Sequence, residues 1–485
     1  MQHYLAFDLG AESGRAILGT LSANGLAIEE IHRFPNTPVR VFSNLYWDTL
    51  RLWHEIQHGL QHAARGRRLA GVGIDTWGVD YALLGSDGAL VDNPRHYRDA
   101  RTDGVMEKLF QVVPRDEVFA HTGIQFMQLN TLYQYYSMKL EGAPALESAR
   151  KLLFMPDLFN YWMTGVAKSE RTIASTSQFY NPCSKSWAVA MLEKLGLPTA
   201  ILPEITEPGT LLGPLLEALW TGEGAPPPVF ATAGHDTASA VAAVPAREGA
   251  WCYISSGTWS LMGMELDEPI VTPKALELNL TNEIGAGGKV RLLKNIAGLW
   301  LIQECRRAWA EAGHDYNYAQ LAAMAGEARP FSSVLNPDAF LQPGDMPRKI
   351  AEHCRAHGVE PPATHGEYAR TILESLALRY RQVLESLEAL TGARIEVIHI
   401  VGGGSRNAVL NQFVADATGR KVVAGPGEAT AIGNLLVQAM GAGAIKGLDD
   451  ARELVRRSFP PETIEPRPSA EWERAYQRYC ELTSR

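Results

Sequence analysis

Apolar and polar positions change rhythm several times along this 485-residue chain. YLAFDL (4–9), RAILGTL (15–21) and LAIEEIHRF (26–34) are short apolar-rich runs, with SANG (22–25) as the turn between the last two. They predict three strands in a meander. TLRLWHEIQHGLQHAAR (49–65) spaces Leu50, Trp53, Ile56, Leu60 and His62 or Ala63 at near-helical intervals, which predicts an amphipathic helix. LAGVGIDTWG (69–78) and VDYALLGSDG (79–88) return to strand patterning. A meander followed by helix and strand predicts a mixed sheet rather than a uniform βαβ array.

The middle of the chain is less regular. Helices are expected at 102–112, 129–139, 155–163 and 186–195, and PDLFNYWMTG (156–165) carries proline in its first turn and a glycine stop. GEGAPPPVFATAGHD (222–236) reads as a linker, a strand and a polar motif. From about residue 246 a second unit is expected. It begins with an SSGT hairpin within 247–266, followed by helices at 296–313 and 366–390. A strand, glycine loop and helix are expected over 395–419, then a strand at 421–425 and a small-residue helix at 428–443. Each half opens with a strand–turn–strand unit and later runs a strand into a glycine-bearing turn and a helix. The pattern predicts two α/β lobes, 1–245 and 246–485, with a cleft between them.

Composition narrows the function. The chain is 46% hydrophobic and 20% charged, with a formal charge of -9 and no basic run, which argues against nucleic acid as the main partner. Its five cysteines are scattered, with no C-x-x-C pair, so neither a disulfide framework nor a zinc site is expected, and a reducing cytosol fits. MQHYLAFDLG lacks the basic start and long apolar core of a signal peptide, and no apolar run reaches the ~18 residues of a membrane span. A cytoplasmic protein without a membrane partner is expected, and nothing in the pattern specifies an oligomeric state.

Four motifs carry polar groups on glycine-bearing turns. In DLGAESGR (8–15), Asp8 ends a strand and a glycine hairpin follows, whose N–H groups can face an anion; a carboxylate there suits a divalent cation, and Ser13 or Arg15 suits phosphate oxygens. A glycine hairpin with an aspartate cap fits the same residues. SSGT (255–258) and VGGGSRN (401–407) allow close approach of backbone amides to a ligand, or are ordinary tight turns; neither is a Walker loop or a dinucleotide fingerprint. In GIDTWGVDY (73–81), Asp75 and Asp80 flank Trp-Gly, an arrangement that offers a sugar an apolar face and hydroxyl acceptors, or simply caps a strand–turn–strand. In AGHDTASA (233–240), Asp236 at a helix start is either an N-cap or a general base whose pKa the helix lowers.

The order of these motifs, DxG…SGR, GHD, SSGT, VGGG, resembles the FGGY family of carbohydrate kinases, in the actin–hexokinase–chaperone ATPase superfamily. The resemblance spans nearly the whole chain. It implies two RNase H-like lobes, each a mixed sheet flanked by helices, and phosphoryl transfer from ATP with Mg2+ to a small-molecule sugar. GIDTWGVDY and NIAGLWLIQE (295–304) imply a ketose acceptor, L-rhamnulose, phosphorylated on its 1-hydroxyl. The resemblance further implies Asp8 near the metal, and Ala11, Glu12, Ser13, Gly14, Arg15, Thr258, Gln303, Gly402 and Gly403 at the nucleotide. Gly78, His235, Asp236, Thr237 and Asn295 fall at the sugar, with Asp236 as catalytic base. Glu12 departs from the small residue often found in this loop, and is expected to point outward, away from the phosphates. A kinase for fuculose, xylulose or glycerol, an actin-like ATPase without a sugar, and a paired-acid glycoside hydrolase are the competing readings.

Overall fold

The computed structural model describes residues 1–247, 249–467 and 469–483. Three strands open the chain: β1 (Gln2–Leu9), β2 (Ser13–Ser22) and β3 (Gly25–Pro35), paired antiparallel as the apolar runs predict. They extend a six-stranded sheet in the order Thr210–Pro214, Pro228–Ala231, Leu69–Thr76, β1, β2, β3. Pro228–Ala231, Leu69–Thr76 and β1 are mutually parallel, so their C-terminal ends share one edge of the sheet. The core under this sheet gathers Leu5, Phe7, Leu18, Trp47, Ile74, Phe159 and Val229, all fully or almost fully buried.

The chain forms two compact units. The first comprises Met1–Ala243, Glu265–Leu292 and Ala429–Ser458; the second comprises Val244–Met264, Leu293–Glu428 and Phe459–Arg485. This division is discontinuous, unlike the expected single boundary at 245/246. The reason is visible inside the first unit. Asn282 Nδ2 donates to the Gly123 carbonyl and the Ile284 amide to Ser175 Oγ, which hold 265–292 there. Helix Ala429–Gly441 packs on helix Asp236–Ala242 so closely that a Cβ at Gly433 would lie 1.7 Å from the Ser239 carbonyl oxygen. In the second unit, strand Trp251–Ser256 pairs antiparallel with Ser260–Leu266 and parallel with Val397–Val401, which in turn pairs parallel with Lys421–Ala424. A hairpin followed by parallel strands is thus used in both units.

The helices at 155–163 and 366–390 are found as Met155–Thr164, stopped by Gly165 in the left-handed region, and His365–Thr391, opened by a Thr364–Glu367 capping box. Other expectations need correction. The strand expected at 79–88 is shorter, Tyr81–Leu84. The helix expected from 296 starts at Trp300, because strand Val290–Ile296 runs through the residues before it. Helix 186–195 shrinks to Val189–Lys194. The first helix, α1 (Thr49–Ala63), is present, capped by the Asp48 side chain on the Arg51 amide, but its buried face is rotated. Leu52, Ile56, Gly59, Leu60 and Ala63 face the sheet, whereas Leu50 is 65% exposed. No described helix is long and apolar enough to cross a membrane, and no disulfide joins any of the five cysteines, all among the described residues.

The rotated face is testable by a pair of substitutions. Leu52→Ala empties a site 1% exposed and should cost about 3 kcal/mol of unfolding free energy. Leu50→Ala should stay within about 0.5 kcal/mol of the parent in the same urea titration.

Candidate active site

Three carboxylates stand at the shared C-terminal edge of the first sheet. Asp8 and Asp75 are register partners on the parallel strands β1 and Leu69–Thr76, so their side chains leave the sheet on the same face. Asp236 follows strand Pro228–Ala231, and the Thr76 amide donates to the Gly234 carbonyl 2.9 Å away, which ties this segment to the neighbouring strand end. Asp75 is fully buried, and its pKa is held well above the ordinary carboxylate range, first by burial and next by the charges of Asp8 and Asp236. Asn434 Nδ2 donates to Asp75 Oδ2 at 2.6 Å, and Gln438 Nε2 donates to Asn434 Oδ1 at 2.7 Å and to the Leu5 carbonyl. Asp75 Oδ1 has no hydrogen-bond partner among the described residues. Oxygen donors with one buried acceptor unfilled are the set a hard divalent cation takes.

The hairpin after Asp8 is stapled by Asn36, whose side chain donates to the Gly10 carbonyl and whose amide donates to the Glu12 carbonyl. Gly10 N–H closes the turn on the Ser13 carbonyl at 2.9 Å. Ala11 packs on the core, Gly14 lies against the Phe34 ring, and Glu12 is exposed. Arg15, register partner of Asp8, forms an ion pair with it.

Asp236 is the first residue of the helix Asp236–Ala242, with His235 at the N-cap. Its pKa is raised by burial and by the Asp8 charge, against the opposing pull of His235. The lowering expected from the helix start is overridden, because withdrawal from water and a like charge outweigh one turn of helix dipole. Thr237 Oγ1 donates to Asp236 Oδ1 at 3.1 Å. Arg291, wholly buried, reaches His235 Nδ1 with Nη2 at 3.1 Å and pairs with Glu283 at the same distance. Nδ1 also lies 3.3 Å from Glu283 Oε2, so it faces a donor and an acceptor together, while Nε2 lies 3.4 Å from Asp236 Oδ1. Gly78 adjoins that nitrogen: a Cβ there would lie 3.4 Å from it. The next residue, Val79, is a β-branched residue at φ +68°, held by Thr176 Oγ1 on its amide and Thr131 Oγ1 on its carbonyl. Gly78, His235, Asp236 and Thr237 therefore come together.

Glu170 secures this group from behind. Its carboxylate accepts from the Gly234 amide at 2.9 Å and from Thr172, whose hydroxyl also accepts from the His235 amide. Burial pushes Glu170 up to about 7, against the pull of these hydrogen bonds. Asp80 has a different role from the hydroxyl acceptor expected of it. Its carboxylate is consumed by the Trp47 and Trp77 indole N–H groups, the Tyr97 amide and Gln134, and burial raises it to about 6. Asp99 is likewise buried, accepting from the Leu45 amide.

In the second unit, SSGT and VGGG sit at the ends of adjacent parallel strands, where Ser255 is the register partner of Val401. Gly402 adopts φ +82°, and a side chain at Gly404 would collide with Ser256 Oγ. Gly403 is exposed and faces open space. Gln303, on helix Trp300–Glu311, donates to Thr258 Oγ1 at 3.1 Å. Thr258, Gln303, Gly402 and Gly403 thus belong to this unit, as does Asn295 on strand Val290–Ile296.

Residues 3–243 match the FGGY family of carbohydrate kinases, N-terminal domain, and residues 252–442 match its C-terminal domain. The chain belongs to the FGGY family of carbohydrate kinases. It is 48% identical over 480 residues to a rhamnulokinase of Bacteroides thetaiotaomicron, with 98% of each chain covered. A rhamnulokinase of Enterococcus faecalis is 42% identical, covering 96% of this chain and 94% of its own. The fold is shared with a ligand-bound xylulose kinase from Lactobacillus acidophilus (TM-score 0.82, 15% identity, coverage 100% and 98%) and with Plasmodium falciparum glycerol kinase with ADP (TM-score 0.78, 13% identity, coverage 100% and 98%). Kinases of this family act on a sugar with ATP and a divalent metal.

For this FGGY kinase the residues that sequence motifs do not reveal are the supports: Glu170, Thr172, Glu283, Arg291, Asn434 and Gln438. None sits in a glycine-bearing turn, and each reaches the site from a segment distant in sequence. Glu170 supplies a test. An acid raised from 4.5 to about 7 in the folded state contributes stability that is present below pH 4.5 and is lost as pH rises through about 7. The stability of the parent relative to Glu170→Gln should therefore fall by about 3 kcal/mol between pH 4.5 and pH 8 in urea titrations. A pH-independent difference contradicts the assignment.

Proposed function

We propose that this FGGY kinase transfers the γ-phosphoryl group of ATP to the 1-hydroxyl of L-rhamnulose, giving L-rhamnulose 1-phosphate in the breakdown of L-rhamnose. The identity to rhamnulokinases over nearly the full length of both chains carries the choice of sugar. The group Gly78–His235–Asp236–Thr237 supports the chemistry. Asp236 is the general base: a carboxylate lifted toward neutral pH by burial is better matched to a hydroxyl proton than an ordinary one. It takes the proton of the 1-hydroxyl as that oxygen forms its bond to the γ-phosphorus and the bond to the β-phosphate oxygen breaks, releasing ADP. His235 contacts a sugar oxygen and keeps the acceptor oriented, and Asn295 is a further sugar contact.

Asp8 and Asp75 would hold the divalent ion, taken here as Mg2+, which supplies positive charge opposite the phosphates. The 11–15 hairpin takes the phosphates, with the exposed Glu12 directed to solvent. Thr258 and Gln303 take the ATP phosphates and nucleotide, and Gly402, with the open backbone at Gly403, lies against the adenosine.

Asp236→Asn should retain the parent far-ultraviolet spectrum and lose about 10²–10⁴ in kcat; turnover near the parent value refutes the base. Coupled ADP release with Mg-ATP against L-rhamnulose, L-fuculose, D-xylulose, L-ribulose and glycerol should give the highest kcat/KM with L-rhamnulose. A different winner overturns the sugar while leaving the base in place, and turnover indifferent to every sugar favours an actin-like ATPase.

A further inference from the structure

Four of the chain's thirteen histidines cluster at the edge of the first sheet, two of them on one carboxylate, apart from the carboxylates at the strand ends. The helix α1 carries HEIQHGLQH (54–62), which repeats histidine every four residues and so lines His54, His58 and His62 along one face. The edge strand β3 faces it with His32. Glu55 is buried at the seam between them, 4% exposed.

One oxygen of Glu55 is paired with Arg51. The other, Oε2, lies 2.7 Å from His32 Nε2 and 3.9 Å from His58 Nδ1. One ligand atom from each of His32, Glu55 and His58 falls within 4.8 Å of the others. His62 Nδ1 lies 3.2 Å from the Ile31 carbonyl, which can only accept, so the proton is on Nδ1 and the Nε2 lone pair is free. Its ring centroid is 5.4 Å from that of His32. A histidine whose second nitrogen donates to a carbonyl is the form that metal-binding histidines take.

Arg51 alone is enough to neutralise Glu55. The imidazoles gathered on its other oxygen exceed what pairing the charge requires, and two to three neutral imidazoles with one carboxylate form the donor set of a tetrahedral zinc site. We propose that His32, Glu55 and His58, with His62 or water as fourth ligand, bind one transition-metal ion, zinc by preference, that clamps edge strand β3 to α1. Tetrahedral donors at zinc lie about 3.3 Å apart. His32 and Glu55 must therefore part slightly and His58 swing inward, which its half-exposed ring is free to do. The nitrogens serve as ligands only when unprotonated, so binding displaces the His32–Glu55 hydrogen bond.

Equilibrium dialysis of the full chain against Zn2+, with excess Mg2+ and no ATP, tests this. One zinc per chain is expected. His58→Ala, and separately His32→Ala, should weaken it at least tenfold, whereas His353→Ala, from a separate close histidine pair, His353 and His357, should leave it unchanged. Cobalt in place of zinc should give the visible absorption of a tetrahedral site, lost in His58→Ala. Zinc should raise the melting temperature of the parent but not of the double variant His32→Ala/His58→Ala. Equal zinc binding by parent and double variant, or an equal loss in His353→Ala, overturns the proposal. Turnover of His58→Ala in chelated, Mg-supplemented buffer should match the parent, since this site lies outside the catalytic residues.

Discussion

Buried negative charge at one edge of a sheet is the constraint on which the first unit depends. Asp75 and Asp236 are drawn out of water beside the charge of Asp8, so the ionised forms of these two acids are disfavoured. The protein offsets this only in part: Arg15 on Asp8, Asn434 on Asp75, Thr237 and the nearby His235 on Asp236. The remainder is a standing demand for positive charge, which a divalent ion meets.

Holding such a cluster open takes rigid support. Parallel strands bring three chain segments to one edge without any of them turning back. Glu170 and Thr172 pin the Gly234 and His235 amides, and Arg291 holds the imidazole ring. Helix Ala429–Gly441 returns from far along the chain to place Asn434 on Asp75, and only glycine at position 433 permits its approach to helix Asp236–Ala242. The discontinuous first unit follows from this: a carboxylate buried at residue 75 needs a donor, and that donor comes from residue 434.

Local pattern was a good guide where one physical signal dominated. The meander, the capped helix His365–Thr391 and the glycine stop of Met155–Thr164 follow from short-range chemistry. The pattern misled where packing chose between equivalent faces. Leu50 and Leu52 are chemically the same, and only the position of α1 against the sheet decides which is buried. Asp75 and Asp80 flank the same Trp-Gly, yet Asp80 is saturated by two indoles, an amide and a glutamine, while Asp75 keeps an oxygen unfilled beside Asp8.

The amino-acid sequence by itself determined the order of strands and helices, the glycine-bearing turns, the membership of the FGGY family and the identity of the acid following His235. These are properties of neighbouring residues, set by backbone freedom, hydrophobic period and motif order. The tertiary structure alone decided which carboxylates share a field, the direction in which Asp236 titrates and the gathering of His32 and His58 on Glu55. Desolvation and Coulomb energy depend on distances between segments that the linear chain leaves far apart.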